Sequence, residues 1–437
     1  MKKVTMFVWN HFTNDARVMR ECLTLSNNNY DVDLICIHDP DDPTNKRYEE
    51  INEHFRVHRM KRYPTTLLLL QGIYRFIMKY KITLIPLIAA WGFLVYLFPW
   101  ITIILTVLLF ALLKTKVRVV WVRGALILRM ILKGYKFKAD IYHSNDLNTL
   151  PQGYICSKWR FKKKQLVYDS HEVQTDRTGY DSPIYGKMEK FFIKRIDIMM
   201  VENNTRAKYN EELYGFYPHV VHNYPIPQNI DHVEKIDLHD MLELPEDEKI
   251  LLYQGGIQEG RGLEKLIEAF PKFKEGTLVF IGDGRIKDNL IKKVKEMGLE
   301  EKIRFIPKVP LAELPKYTKN GYIGFQVLNN VCFNHYSASS NKLFEYMMSQ
   351  VPVVACNFPE IRKVVEEEQI GVVVDSHDPD DIARGVNYML DHPEQREEFS
   401  RNCIPAREKY NWELEQDNLL RAYRTLDMPS YERGLTQ

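Results

Sequence analysis

The sequence predicts an α/β protein of two domains in series, with an apolar hairpin inserted into the first. Three observations predict it. Short β-branched runs alternate with helical stretches along most of the 437 residues. The rhythm stops in a polar segment rich in Pro, Asp and Glu, about 226–248, and then restarts. A stretch from Ile82 to Leu113 carries no charge at all. Near-continuous apolar strands separated by helices indicate parallel sheets covered on both faces, so each half reads as a Rossmann-like domain.

Taken in order, the first series places strands at 4–9, 32–38, 55–60, 139–146, 164–171, 196–203 and 219–225. The second places them at 249–256, 277–284, 303–309, 321–328, 351–356 and 370–375. The domains are therefore set at 1–235 and 236–410. Residues 64–138 are an insertion in the first, and an amphipathic C-terminal helix lies within 411–437. Ligands of such sheets bind beyond the carboxyl ends of the strands, so the residues just after each strand are the candidates for chemistry.

The insertion separates two strands that belong to one sheet. About 78 residues lie between Met60 and Ala139, against roughly 30 for a whole βαβ unit. Both ends must return to the same side of any membrane. Two crossings need about 20 residues each plus a turn, and the uncharged stretch is shorter than that. Pro86 and Pro99 favour a break within it. A hairpin that enters and leaves by one face, or helices lying in the interface, fits best; a double crossing and a buried helix pair remain open. The flanks are basic on both sides (Arg75, Lys79 and Lys81 before, Lys114, Lys116 and Arg118 after), as expected at the cytoplasmic face of an anionic membrane. "VRVVWVRGALILRMILKGYKFK" reads as a cationic amphipathic helix on that surface.

Composition removes several classes. A net charge of +2 gives no case for nucleic acid as a partner. Six scattered cysteines without a CxxC read as reduced thiols, with no metal cluster. "WNHFTNDAR" after the first strand lacks the Gly-x-Gly-x-x-Gly turn of a dinucleotide oxidoreductase. "DPDD" occurs at 39–42 and 378–381; the second copy reads as a helix start with Asp378 as cap and Pro379 in the first turn.

Two stretches carry chemistry. In "YQGGIQEGRGLEKLIEAF" (253–270) a strand runs through Gly255 and Gly256 into a helix, with Arg261 just before it. Glycines permit close approach of a ligand, and a helix start favours an anion, so this reads as a diphosphate site. In "SASSNKLFEYMMSQVPVVA" (337–355) a helix begins near Ser340 or Asn341. Ser339, Ser340 and the amides of Asn341 and Lys342 are placed for phosphate oxygens. Glu345, one turn further, is placed to accept two ribose hydroxyls, and Leu343, Phe344 and Met347 form an apolar face.

Here a resemblance becomes specific. "GGIQEGRGLEKLIEA", "VFIGDG" and "NKLFEYMMSQVPVVA" resemble the nucleotide-sugar half of family 4 glycosyltransferases of the GT-B fold. "NDARVMRECLTLSNNNYDVDLI", "IYHSNDLNTL", "LVYDSHE" and "VVHNYP" resemble its first half, so the likeness covers about 1–60 and 139–425. It implies transfer of a hexosyl or N-acetylhexosaminyl group from a UDP- or GDP-sugar, with retention and with no required cofactor or metal. It implies that Glu345 holds the donor ribose and that Arg261 holds the diphosphate; Lys342 is the candidate for a second cation there, and Gly255, Gly256, Asp283, Ser339, Ser340, Asn341 and Leu343 are the candidates that line the donor. His171 would lie near the transferring sugar, with Asp15, Arg17, Asp146, Asp169 and Glu172 on the acceptor side. The C-terminal helix would cross back onto the first domain. Two positions depart from the pattern. Ser337 stands where the earlier Glu of the Glu-x7-Glu signature is expected, and Ile257 follows Gly256 where many members have Arg. Combined with the basic apolar insertion, the expectation is transfer to a lipid-linked acceptor at the cytoplasmic membrane face, for surface polysaccharide or glycolipid synthesis. The alternative is a non-catalytic sugar-nucleotide-binding membrane subunit, for which Ser337 is the support.

Overall fold

The structure, a computed structural model, describes residues 1–13, 15–174, 182–227 and 232–428. Its contacts divide the chain into two compact units. One is Met1–Asp169 with Phe191–Asp197; the other is Ser170–Lys190 with Ile198–Gln437.

The first unit contains β1 (Lys2–Phe7), α1 (Ala16–Asn27), β2 (Tyr30–His38), β3 (Tyr48–Asn52) and β4 (Phe55–Lys61). Four helices follow: α2 (Thr65–Lys79), α3 (Leu84–Leu97), α4 (Pro99–Lys114) and α5 (Val117–Phe137). Then come β5 (Ile141–Asn145), α6 (Leu150–Lys158) and β6 (Gln165–Ser170). The strands run in the order β3-β4-β2-β1-β5-β6. All pairs are parallel except β3–β4. Every strand expected here overlaps an observed one: β1 begins and ends two residues earlier, β2 and β4 are slightly longer, and β5 and β6 are trimmed at both ends. The expectation omitted β3, whose "YEEIN" is polar because it is an antiparallel edge strand.

The insertion is wholly helical. Helix α5 differs from its reading as a surface helix. Its second half is the crossover helix that returns the chain to the sheet, burying Leu126, Met130 and Gly134 at a spacing of four. Phe7 of β1 packs so closely that a Cβ on Gly134 would lie 2.6 Å from its Cζ. The Tyr142 hydroxyl donates to the Gly134 carbonyl at 3.2 Å. Helices α3 and α4 form a hairpin around Phe98–Pro99. Trp91 Nε1 donates to Thr106 Oγ1 at 3.0 Å and Thr102 Oγ1 donates to the Leu94 carbonyl at 3.0 Å. Among the described residues no single helix is long and apolar enough to cross a membrane, and α2 meets the segment Lys81–Leu97 at 108°.

The second unit opens with the part of α7 (Pro183–Ile193) that precedes Phe191, followed by β7 (Ile198–Val201), α8 (Asn204–Tyr214), β8 (His219–Val220) and α9 (Leu238–Met241), with β7 and β8 parallel. Next come β9 (Ile250–Gln254), α10 (Leu263–Ala269), β10 (Thr277–Ile281), α11 (Lys287–Glu296), β11 (Ile303–Ile306), α12 (Leu314–Thr318) and β12 (Ile323–Gln326). The chain continues through α13 (Phe333–Tyr336), α14 (Asn341–Met348), β13 (Val353–Cys356), α15 (Pro359–Glu368) and β14 (Gly371–Val374). It ends with α16 (Pro379–Asp391), α17 (Pro393–Arg407) and α18 (Trp412–Thr425). The parallel sheet β11-β10-β9-β12-β13-β14 has a core on each face. Along β9, Leu251 and Tyr253 enter one core while Ile250 and Leu252 enter the other, the alternation a strand imposes. Asp378 caps α16 by accepting from the Asp380 amide. Helix α18 is tied down where Glu415 Oε1 accepts from the His222 amide at 2.8 Å.

Candidate functional site

The site starts at the end of β9. All five of its residues are buried, including Gln254. The chain then turns through Gly255, whose φ of +120° a side chain rarely adopts. This turn lies directly against the one after β10. The Gly255 amide donates to the Ile281 carbonyl at 2.9 Å and the Ile257 amide to the Asp283 carbonyl at 3.0 Å. A Cβ on Gly282 would sit 2.0 Å from the Gly255 oxygen. The loop reaches Arg261 and enters α10. Arg261 Nε is buried with no hydrogen-bond partner among the described residues.

Helix α14 begins where the sequence places it, with Ser340 at its cap making no side-chain bond to the helix amides. Ser339 is half-buried beside it. Lys342 is buried, its ammonium 5.3 Å from the Tyr253 ring centroid, and its chain runs against Gly255. Burial, and then the nearby Arg261 charge, push Lys342 down to about 7. The same burial and the Arg261 charge lower His335. Glu345 Oε2 accepts from Gln254 Nε2 at 2.8 Å, leaving Oε1 without a described partner. Burial raises the Glu345 carboxyl, opposed by that hydrogen bond and by Lys342. Gln254 is itself fixed, since Thr318 Oγ1 donates to its Oε1 at 2.7 Å. Arg261, Lys342, Glu345 and Gly255 are thus brought together. The arrangement can receive an anion on two cations and hydroxyl groups on a free carboxylate oxygen.

Other expected donor residues are placed differently. Asp283 is exposed, paired with Lys287 at 2.6 Å, and accepts from the Lys308 amide at 2.9 Å. Those hydrogen bonds hold its carboxyl below the usual range. Leu343 lies in the core and its amide donates to the Ser340 carbonyl at 3.0 Å. Asn341 Oδ1 accepts from Asn223 at 3.2 Å. Gly256 is exposed, and its carbonyl accepts from the Tyr253 hydroxyl at 2.9 Å.

Ser337 is fully buried and has company the sequence did not announce. Its Oγ accepts from Arg206 Nε at 3.2 Å and its carbonyl from Asn203 Nδ2 at 2.7 Å. Arg206 also donates to the Asn334 carbonyl at 3.2 Å and to the His171 carbonyl, and pairs with Glu202 at 2.5 Å. His171 is half-buried, and the Arg206 guanidinium bonds both its carbonyl and Ser337. The Glu172 carbonyl accepts from Ser170 Oγ at 2.9 Å.

In the first unit, Arg17 is buried and reaches Asp169 with bonds of 2.9, 3.0 and 3.2 Å, and Glu21 at 3.0 Å. Asp146, at φ +61°, donates its amide to the Asp169 carbonyl at 2.8 Å. Asp15 is the cap of α1: one oxygen accepts from the Val18 amide at 3.1 Å, the other from Asn10 at 2.7 Å. Ligand atoms of Glu21, His143 and Asp169 converge within 4.8 Å, and the Arg17 guanidinium supplies positive charge to two of them. Sequence reasoning missed Gln254, Thr318 and Arg206. A polar residue closing the buried run "ILLYQ" was the one signal available.

Residues 234–404 match the family model described as glycosyl transferases group 1. The D-inositol 3-phosphate glycosyltransferase of Thermomonospora curvata is 28% identical over 195 residues, which are 42% of this chain and 44% of that relative. The chain therefore spans less than half the length of this and similar curated relatives. Sucrose-phosphate synthase from Thermosynechococcus elongatus superposes with a TM-score of 0.69 at 16% identity, over 98% of this chain and 99% of that one. Anabaena HepE in complex with UDP-glucose gives 0.66 at 13% identity, over 98% and 100%. The chain has the two-domain α/β GT-B fold of these glycosyltransferases.

Proposed function

We propose that the protein is a retaining glycosyltransferase that moves a hexosyl or N-acetylhexosaminyl group from a UDP- or GDP-sugar to a lipid-linked acceptor at the cytoplasmic membrane face. The product would enter cell-surface polysaccharide or glycolipid synthesis. One observation carries the reading. Glu345 keeps a carboxylate oxygen unused beside two cations, Arg261 and Lys342, that have no acidic partner within hydrogen-bond reach among the described residues. That set suits a nucleoside diphosphate, with ribose on Glu345 and diphosphate on the cations. As the glycosidic bond breaks, charge grows on the leaving diphosphate, and cations fixed in a buried site stabilise it most at that moment. In this reading the protein supplies the charge, and the chemistry needs no metal. His171 orients the sugar and stabilises its developing positive charge. The uncharged, base-flanked insertion supports a membrane-bound acceptor, which a membrane-held enzyme searches for in two dimensions.

A second reading has one observation in its favour. Ser337 is buried on Arg206 and offers no carboxylate to a transferred sugar, as a sugar-nucleotide-binding subunit without catalysis would have it. One assay separates the two. Protein in detergent is given UDP- and GDP-sugars with membrane lipid extract and EDTA, and free nucleoside diphosphate is measured. The transferase reading expects release from one donor that survives EDTA and is lost in Glu345→Ala and Arg261→Ala. Donor binding by calorimetry without release from any donor would instead establish the subunit.

A further inference from the structure

We propose that the α3–α4 hairpin enters a single leaflet of an anionic bilayer from one side while α2 lies along the headgroups. Tyr74, Lys79, Tyr80, Lys81 and Lys114 form the collar where the chain passes from one to the other. The proposal rests on the membrane-face half of the reading above and states how the chain meets the lipid.

Length comes first. The 14 residues of α3 and 16 of α4 span about 21 and 24 Å at 1.5 Å per residue, short of the roughly 30 Å hydrocarbon core but longer than half of it, so the hairpin stays within one leaflet by tilting. Both ends of the insertion return to one sheet, through β4 and β5, which flank the β2–β1 pair. The hairpin therefore leaves by the side it enters.

Trp91, Thr102 and Thr106 turn their polar atoms onto the hairpin itself. Trp91 Nε1 bonds Thr106, Thr106 Oγ1 bonds the Thr102 carbonyl at 2.7 Å, and Thr102 bonds the Leu94 carbonyl. The outside is predominantly apolar, with the polar tips of Tyr96 and Trp100 at the turn, as a hydrocarbon surrounding favours. Exposure runs along both helices and around the turn: Ile85 is 70% exposed, Tyr96 83%, Trp100 77% and Phe110 63%. A groove in a partner protein would cover one side of such a hairpin; lipid covers all of it.

Charge selects the lipid. Between Glu53 and Asp140 the sequence has no acidic residue, while Lys and Arg recur on both flanks of the apolar stretch. A second copy would present the same charge and be repelled, whereas an anionic leaflet attracts it. The collar is built: Lys114 Nζ donates to the Tyr74 hydroxyl at 3.1 Å and lies 4.6 Å from its ring centroid, tying the end of α4 to α2. Lys79 lies 5.3 Å from the Tyr80 ring centroid. The 108° bend between α2 and the following helix turns the chain from lying to dipping at this collar.

The test is flotation of the full chain with sealed phosphatidylcholine vesicles, with and without phosphatidylglycerol. A Tyr96→Cys, Cys332→Ser variant is then probed with an impermeant maleimide added outside or trapped inside. Expected are flotation at least about tenfold stronger on anionic vesicles and an introduced thiol protected from both sides. Ile101→Asp should lose flotation while keeping UDP binding by calorimetry, which reports an intact fold. Labelling from inside would mean a full crossing, and labelling from outside after flotation a helix pair lying on the surface; either overturns the proposal. So does failure to float, with concentration-dependent self-association identifying a second copy as the occupant. Diphosphate release in detergent needs no vesicle, so loss of either result alone identifies which reading fails.

Discussion

Gln254 Nε2 donates to Glu345 Oε2 at 2.8 Å, joining the last residue of β9 to the middle of α14 across 91 positions of sequence. An ionised carboxylate only accepts, so the glutamine presents its NH₂ to Glu345 and turns its oxygen to Thr318. It is a positioning residue: it fixes one oxygen of Glu345 and leaves the other for a ligand. Hydrogen bonds to charged groups contribute about 1.5–3 kcal/mol. Gln254→Leu should therefore weaken UDP binding about tenfold or more by calorimetry, with donor KM rising more than kcat falls. An unchanged UDP affinity would remove Gln254 from the site.

Lys342 makes a second prediction, about pH. Burial and the Arg261 charge bring it from an ordinary 10.5 to about 7. Between those values the unfolded chain holds a proton that the folded, unliganded protein has released. Stability from this group therefore rises with pH across that window. A bound diphosphate favours the charged lysine, so binding takes up a proton. UDP affinity should fall as pH rises above about 7, by up to tenfold per pH unit. Lys342→Met should bind more weakly at pH 6.5 and lose this dependence. Titrations at several pH values in buffers of different ionisation enthalpy measure both slope and proton uptake. A slope retained in the methionine variant would assign it to another group.

How far these relationships were legible depends on the distance over which the sequence writes them. The strands were legible because buried parallel strands are locally apolar, as in "ILLYQ" and "TLVFI". The glycine turn and Glu345 stood in recognisable neighbourhoods. β3 was not legible, because an edge strand needs no apolar pattern. The partners of Gln254, 64 and 91 residues away, and of Arg206, up to 131 away, leave no mark near those residues. Helix α5 was legible as a basic amphipathic helix. That pattern serves a membrane surface and a sheet equally well, and only the packing of Gly134 on Phe7 tells them apart.

Arg206 supports a third prediction. It is buried and serves Ser337, Asn334, His171 and Glu202 at once. A lysine offers three donors from one atom and cannot reach four acceptors in a plane. Arg206→Lys should cost about 3 kcal/mol, within the range for breaking buried ionic networks, read by urea unfolding. A loss near zero would mean these acceptors find other donors.

The fourth prediction separates the two roles of α5 by sign. Gly124 and Gly134 both lie inside this helix, where replacing Gly by Ala ordinarily gains about 0.5–1 kcal/mol. A Cβ at Gly124 meets nothing within 4 Å, so Gly124→Ala should be stabilising. At Gly134 the new carbon would stand 2.6 Å from Phe7 Cζ and 3.2 Å from Cys156 Sγ. Phe7 is fully buried and stacked on Tyr142 at 6.4 Å, so it has little room to yield. Overpacking of this kind costs about 1–3 kcal/mol, and Gly134→Ala should be destabilising. Urea unfolding of the two variants in the same detergent should move in opposite directions. If both rise, the second half of α5 is not held on the sheet, and the helix belongs to the surface along its whole length.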